Sequence, residues 1–190
     1  MQHDATFSNK TLGADLRALR KARGLTLQDI ADQMDRSVGW VSQIERDLSE
    51  PSITDLRQIA KVLDVPISLL FGQANAKADE AGIVVRAGAR RPIGSRTAGL
   101  IEELLSPDLS DDFEVVHSTF QPHSRAGEMI TRPTQEVGYV VSGALDMVIS
   151  GQRFTLNPGD SFRIKEEPHE WINPYDAPAV VVWVIAPPVY

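Results

Sequence analysis

Residues Arg36–Asp47 read RSVGWVSQIERD, and the division of side chains in this stretch decides how the rest of the chain is read. On a wheel of about 100° per residue, Val41, Ile44 and Trp40 fall on one side. Gly39, Ser42, Gln43 and Arg46 occupy the opposite arc. A short helix that turns a glycine, a hydroxyl, an amide and a cation outward has either a merely solvated face or a reading face. The flanking segments bear on which.

Upstream, Leu12, Leu16 and Leu19 follow helical spacing, and Gly24 closes that helix beside Arg20, Lys21 and Arg23. Thr26 opens TLQD, a hydroxyl followed three residues later by an acid, which is the pattern of a capping box. Ile30, Ala31 and Met34 form the apolar face of the helix it starts, and Ser37 caps the quoted stretch. Downstream, SITD repeats the cap with Ser52 and Asp55, ahead of a stripe of Ile53, Leu56, Ile59, Ala60 and Leu63. Pro66 begins a last short turn, ISLLFG. The expectation is an all-α domain of five helices over 10–72, behind a flexible tail over 1–9.

After Gly72 the texture changes. QANAKADEAG reads as a linker over 73–82. Beyond it come short β-rich runs between turn residues: GIVVRAG, LIEELL, DFEVVHSTF, EVGYVVSG, ALDMVIS, QRFTL, DSFRI, HEWIN and AVVVWVIA. This spacing predicts an all-β sandwich or barrel over 83–190.

Composition sets further bounds. The 190 residues include no cysteine, which excludes disulfides, thiolate metal sites and thiol catalysis. No apolar run approaches the roughly 20 residues of a membrane span, and the N-terminus lacks the apolar core of a signal peptide, so a cytoplasmic location is expected. The net charge of −7 is unevenly spread: residues 1–72 carry 9 basic and 10 acidic side chains, residues 73–190 carry 10 and 16. A near-neutral helical domain with a local basic cluster can still bind phosphates.

The helical pair joined near Asp35–Arg36 is a helix-turn-helix candidate whose second helix can enter a major groove. Gln43 can pair bidentately with an adenine edge, Ser42 can bond a base or a phosphate, Gly39 permits close approach, and Arg46 suits phosphate. Thr26 and Ser37 stand at helix N-termini as phosphate contacts. Gln28, Arg36 and Val38 complete the candidate DNA-contact set.

The run from Leu16 to Gly72, LRALRKARGLTLQDIADQMDRSVGWVSQIERDLSEPSITDLRQIAKVLDVPISLLFG, closely resembles the XRE-type, lambda-repressor-like DNA-binding domains. The resemblance implies that Ser37, Val38, Gly39, Ser42 and Gln43 face DNA, and that Arg20 and Glu45 tie the first helix to the third. Asp47 departs from it, standing where many relatives have glycine; an acid there either lies near phosphates or caps the loop. Because such modules usually bind as dimers to half-sites about 34 Å apart, a homodimer is expected.

Gln135–Asn173, QEVGYVVSGALDMVISGQRFTLNPGDSFRIKEEPHEWIN, resembles the core of cupins, which are double-stranded β-helix barrels. The resemblance places Glu136 and His169 at metal-ligand positions and Asn173 at the asparagine that commonly follows. It puts Ile130 and Arg132 where two histidines are usual, and Glu166 where glycine is usual. A divalent ion on Glu136 and His169, joined by His117 or His123, is one reading of the interior. A second is an effector pocket of Arg132, Glu136, His169 and Trp171, suited to an amino acid or other small carboxylate. A third is an internal Arg132–Glu136 salt bridge with no ligand. The whole chain reads as a DNA-binding transcriptional regulator with a small-molecule sensor, not an enzyme. A metal-dependent cupin oxygenase or epoxidase with a helix-turn-helix appendage is the competing reading, and it lacks a facial triad.

Overall fold

The computed structural model describes residues 11–65, 67–70, 80, 82–93, 97–109 and 111–189. The expected tail over 1–9 and most of the expected linker over 73–82 lie outside them. The chain divides into two compact units, Met1–Ala89 with Pro107–Ser110, and Arg90–Ser106 with Asp111–Tyr190.

The first unit is helical: α1 (Leu12–Ala22), α2 (Leu27–Gln33), α3 (Val38–Glu45), α4 (Ile53–Val62) and a single turn, α5 (Ile67–Leu70). Each of the four longer helices starts at a hydroxyl. Thr11, Thr26, Ser37 and Ser52 accept from the N–H three residues on, satisfying a donor the helix leaves open. Thr26 with Asp29 and Ser52 with Asp55 close full reciprocal boxes. The turns use left-handed residues: Gly24 (φ 66), Asp35 (φ 52), Asp47 (φ 55) and Asp64 (φ 53). Leu16, Leu19, Ile30, Val41, Ile44, Leu56, Ile59 and Leu63 are buried as the core. Each contributes roughly 1.5–3 kcal/mol by leaving water.

The stretch Gly82–Gly88 corrects one expectation, since it forms no strand. Ile83 and Val84 donate their N–H groups to the Glu80 carbonyl, and Ala87–Ala89 is a turn of 3-10 helix. Three successive apolar residues favour extended backbone, but here local turn bonds replace a ladder and Ile83 remains exposed.

The second unit is built from antiparallel strands: β1 (Arg91–Pro92), β2 (Leu100–Leu104), β3 (Glu114–Phe120), β4 (Ser124–Arg125), β5 (Gln135–Ser142), β6 (Leu145–Ile149), β7 (Gln152–Leu156), β8 (Ser161–Lys165), β9 (His169–Asn173) and β10 (Ala179–Ala186). They form a six-stranded sheet, β1-β2-β3-β10-β5-β8, and a four-stranded sheet, β4-β9-β6-β7. Period-two burial along β3, β5 and β10 fixes their register, because a one-residue slip would turn the core outward. The sheets meet through Phe120 of β3 and Trp171 of β9, edge to face at 4.8 Å. The Phe162 ring packs at 5.0 Å from Trp183 and covers Gly138, where a Cβ would lie 2.4 Å from the ring.

Candidate nucleic-acid interface and barrel interior

The helix α3 is tied to α1 at its C-terminal end by two side chains. Arg20 of α1 grips Glu45 with two parallel bonds, Nε to Oε1 at 2.6 Å and Nη2 to Oε2 at 2.9 Å, and its Nη1 donates to the Leu25 carbonyl at 2.8 Å. That is the tie expected between the first and third helices. Asp47, just past α3, turns back onto α1. Its Oδ1 accepts from the Gly13 N–H at 3.0 Å, and its Oδ2 accepts from the Thr11 hydroxyl. The acid thus caps α1. Gly13 was not singled out in the sequence, yet a Cβ there would stand 2.4 Å from the Ile44 carbonyl oxygen. Only glycine lets the two helices approach so closely.

On the outer arc, Gly39, Gln43 and Arg46 are exposed and Ser42 partly so; Val38, at the start of α3 beside that arc, is partly exposed. The Gln43 amide makes no bond among the described residues, which leaves its donor and acceptor pair open. Arg46 Nε donates to the Ser42 carbonyl at 3.1 Å. The Ser37 hydroxyl accepts from the Trp40 N–H at 3.1 Å.

Three further members of the candidate set are engaged by carboxylates. The Thr26 hydroxyl donates to Asp29 Oδ2 at 2.6 Å and accepts from the Asp29 N–H at 3.1 Å. These bonds from Thr26 hold the Asp29 carboxyl below the usual range, so it stands ionised at the start of α2, where a phosphate would otherwise find positive potential. The Gln28 amide donates to Asp32 at 2.6 Å. Arg36 pairs with Asp55 at 3.0 Å and lies 5.0 Å from the Trp40 ring centroid.

In the second unit, Glu136 is buried and accepts from the Thr134 hydroxyl at 2.6 Å. Arg132 makes no ion pair among the described residues, so the proposed Arg132–Glu136 bridge does not form. His169 is buried, with Nδ1 at 3.0 Å from the Glu167 carbonyl, and it forms an isolated bridge with Ile130. Trp171 shares its inward face but is packed against Phe120. Asn173 is structural: its amide donates to the Phe120 carbonyl at 2.9 Å and the Ala177 carbonyl at 3.0 Å. Glu166 stands at φ 61, the left-handed conformation that explains glycine at that position in the resemblance.

The other histidines lie elsewhere. His117 points to the opposite face of β3 from Glu114 and Ser118, 3.7 Å from Glu103. His123 pairs with Asp176 at 3.0 Å on the surface. Among the described residues, no group of three or more His, Cys, Asp or Glu side chains is placed to hold a metal ion.

The interior holds two carboxylates that sequence reading missed. Glu114 of β3 is buried, and its Oε1 accepts from the Val189 N–H at 3.1 Å. Burial pushes its carboxyl up to about 7, with Glu102 and Glu136 adding to the rise and Arg132 opposing it. Glu102 of β2 accepts from the Ser118 hydroxyl at 3.2 Å and is likewise raised by burial. Period-two alternation could have put both on the inward face, but a carboxylate inside a barrel runs against the usual apolar-in pattern.

Residues 11–70 match a helix-turn-helix domain family, and residues 116–185 match a cupin domain family. The HTH-type transcriptional regulator PuuR of Escherichia coli (strain K12) is 28% identical over 163 residues, covering 85% of this chain and 86% of that protein. The transcriptional regulator ClgR of Mycobacterium tuberculosis (strain ATCC 25618 / H37Rv) is 31% identical over 98 residues, covering 52% of this chain and 85% of that protein. Among solved structures, KdgF from Halomonas sp. superposes with a TM-score of 0.50 at 19% identity, over 57% of this chain and 96% of that one. That likeness concerns the barrel fold alone.

Proposed function

The chain belongs to the XRE-type helix-turn-helix transcriptional regulators that carry a cupin domain, and from that premise we propose how its parts divide the work. It is a DNA-binding regulator. We read the helical unit as the five-helix lambda-repressor-like arrangement, counting α5, and the two sheets as the walls of a double-stranded β-helix.

The observation that carries the assignment of the interface is the open Gln43 amide on an α3 braced by Arg20–Glu45 and Asp47–Gly13. Gln43 reads a base edge, Val38 contacts a thymine methyl, and Gly39 gives clearance. Ser37, Ser42 and Arg46 hold phosphates. Thr26, Gln28 and Arg36 flank the groove and reach DNA only by exchanging the intraprotein bonds they already make. Selection from a random duplex library, followed by anisotropy titration, tests this. One enriched motif, with loss of preference at one base position in Gln43→Ala, is the expected outcome. No enrichment over the input library would refute it.

A second copy covers the outer face of the six-stranded sheet. Val137 and Tyr139 of β5 lie opposite Val184 and Val182 of β10 on that face, and Ile101 of β2 extends it. Val137, Tyr139 and Val184 adjoin one another across β5 and β10, Val141 follows along β5, and Ile101 lies beyond β3; all five are 44–53% exposed. Pairing through it yields the two reading heads that half-site recognition requires. The barrel interior binds a small-molecule effector and performs no catalysis, and it needs no divalent ion. Metal analysis of protein purified without chelator checks the last point, with stoichiometric iron favouring an oxygenase instead. The protein works in the cytoplasm, alongside its DNA.

A further inference from the structure

The outer face of the six-stranded sheet is ordered symmetrically about β10. β3 and β5 flank β10, and β2 and β8 lie one strand further out on either side. One row across this face reads Glu103, His117, Val182, Tyr139 and Ser161, from β2 to β8. The next row carries Val115, Val184, Val137 and Arg163. The centre is apolar, and the two margins differ in charge.

At the β2 margin, Glu103 Oε2 accepts from Arg90 at 3.2 Å and lies 3.7 Å from His117 Nδ1. Its Oε1 makes no bond among the described residues. His117 Nδ1 is enclosed without a hydrogen-bond partner, while the side chain as a whole is 20% exposed. Nε2 is therefore the ring nitrogen open to an outside partner. At the β8 margin, Arg163 and Lys165 are exposed and make no ion pair among the described residues.

Two sheet faces pack about 10 Å apart with their strands nearly aligned, and two identical chains close on each other through a two-fold axis. An axis across the strands lays β8 on the second copy's β8. Arg163 and Lys165 then meet their own equivalents, and Glu103 meets Glu103, so like charges oppose each other at both margins. An axis along β10 instead lays each β8 on the other copy's β2. The cations then meet the open oxygen of Glu103.

We propose that two copies pair about an axis along β10 above Val182, which sets His117 against Tyr139 of the partner subunit. The proposal rests on the reading of this face as the pairing surface and adds which residues meet across it. The Tyr139 hydroxyl gives His117 Nε2 a partner, and Glu103 takes Arg163 of the partner subunit. Five strands about 20 Å long present on the order of 500 Å² per copy, near the lower bound for a specific interface. These polar contacts therefore decide the orientation.

The chain contains no cysteine, so introduced single cysteines report the contacts. Full chains carrying Val182→Cys, His117→Cys or Tyr139→Cys are treated with a short bis-maleimide. Each is treated alone and, after subunit exchange, in mixtures where one variant bears a size tag. Val182→Cys should link to itself. His117→Cys and Tyr139→Cys should link to each other about tenfold faster than either links to itself. If no combination links, the face is not the pairing surface and the proposal falls with that reading. If His117→Cys and Tyr139→Cys link to themselves as fast as to each other, the face stands and the axis along β10 is overturned. Should His117→Cys fail to fold, Val115→Cys and Val137→Cys, which flank Val184 in the next row, decide by the same comparison. In sedimentation, Arg163→Glu should raise the dimer dissociation constant about tenfold, and an equal mixture with Glu103→Arg should restore it. A constant unmoved by Arg163→Glu overturns the contact between the margins.

Discussion

Asp47, just past the end of α3, caps the first helix by accepting from the Gly13 N–H at 3.0 Å. The same carboxylate takes the Thr11 hydroxyl, so one side chain joins the exit of α3 to the entry of α1. Asp47→Ala should cost about 1–2 kcal/mol in urea unfolding, through the lost cap and a left-handed alanine. Gly13→Ala should cost about 1–3 kcal/mol, because its Cβ meets backbone and not a yielding side chain. Parent-like unfolding midpoints in both variants would remove the latch from the description.

Arg20 and Glu45 are largely shielded from water, with side chains 12% and 9% exposed. Removing one partner strands the other. Arg20→Met should therefore lose about 3 kcal/mol, and the double variant Arg20→Met/Glu45→Met should recover much of that loss. Additive losses in the double-mutant cycle would mean the pair is not coupled.

At the DNA face, Gln43→Ala should cost about 1–3 kcal/mol at the selected site and relax one base position. Arg46→Ala should weaken specific and random duplexes alike and lower the slope of log K against log salt by about one. Variants that bind both DNAs as the parent does would disprove the docking of α3.

Glu114 sets a pH dependence opposite in sign to that of carboxylates held ionised by a partner, such as Asp29 and Asp55. Its folded value of about 7 lies above the ordinary carboxyl value of 4.5, so between those limits the folded state holds the extra proton. Stability is then fully present below the ordinary value and falls as pH rises to about 7, by an amount on the order of 3 kcal/mol. Glu114→Gln should flatten that slope in chemical unfolding between pH 4.5 and 7. An unchanged slope would assign the effect elsewhere.

Much of the helical unit was legible because its signals are local. Hydroxyl caps at Thr26 and Ser52, three residues ahead of an acid, stand in the structure as capping boxes. Gly13 was illegible for the opposite reason, since its need arises from a carbonyl thirty-one residues away in sequence. In the barrel, HEWIN and AVVVWVIA gave strands directly, whereas Ile83–Val85 looked like a strand and found no partner to pair with. Glu102 and Glu114 stayed hidden because alternation says which residues share a face but not which face is inside. Sequence reading grouped Arg132 with Glu136 and His169 in one pocket; Glu102 and Glu114 also lie within its electrostatic reach.

Tyr139 lies near the middle of the exposed sheet face. Tyr139→Arg should shift sedimentation from dimer to monomer and weaken operator binding, with the barrel fold intact by circular dichroism. A monomeric parent chain, or a dimer unaffected by this change, would exclude that face as the pairing surface.

The left-handed backbones of Asp35 and Glu166 have a practical consequence. Neither side chain makes a bond among the described residues, so each bears a conformational cost of about 1 kcal/mol without a contact in return. Glycine at both positions would trade that cost against the greater freedom of the denatured chain. These two sites are therefore where a hardier version of the protein can be sought without touching either α3 or the inward-facing side chains of the sheets.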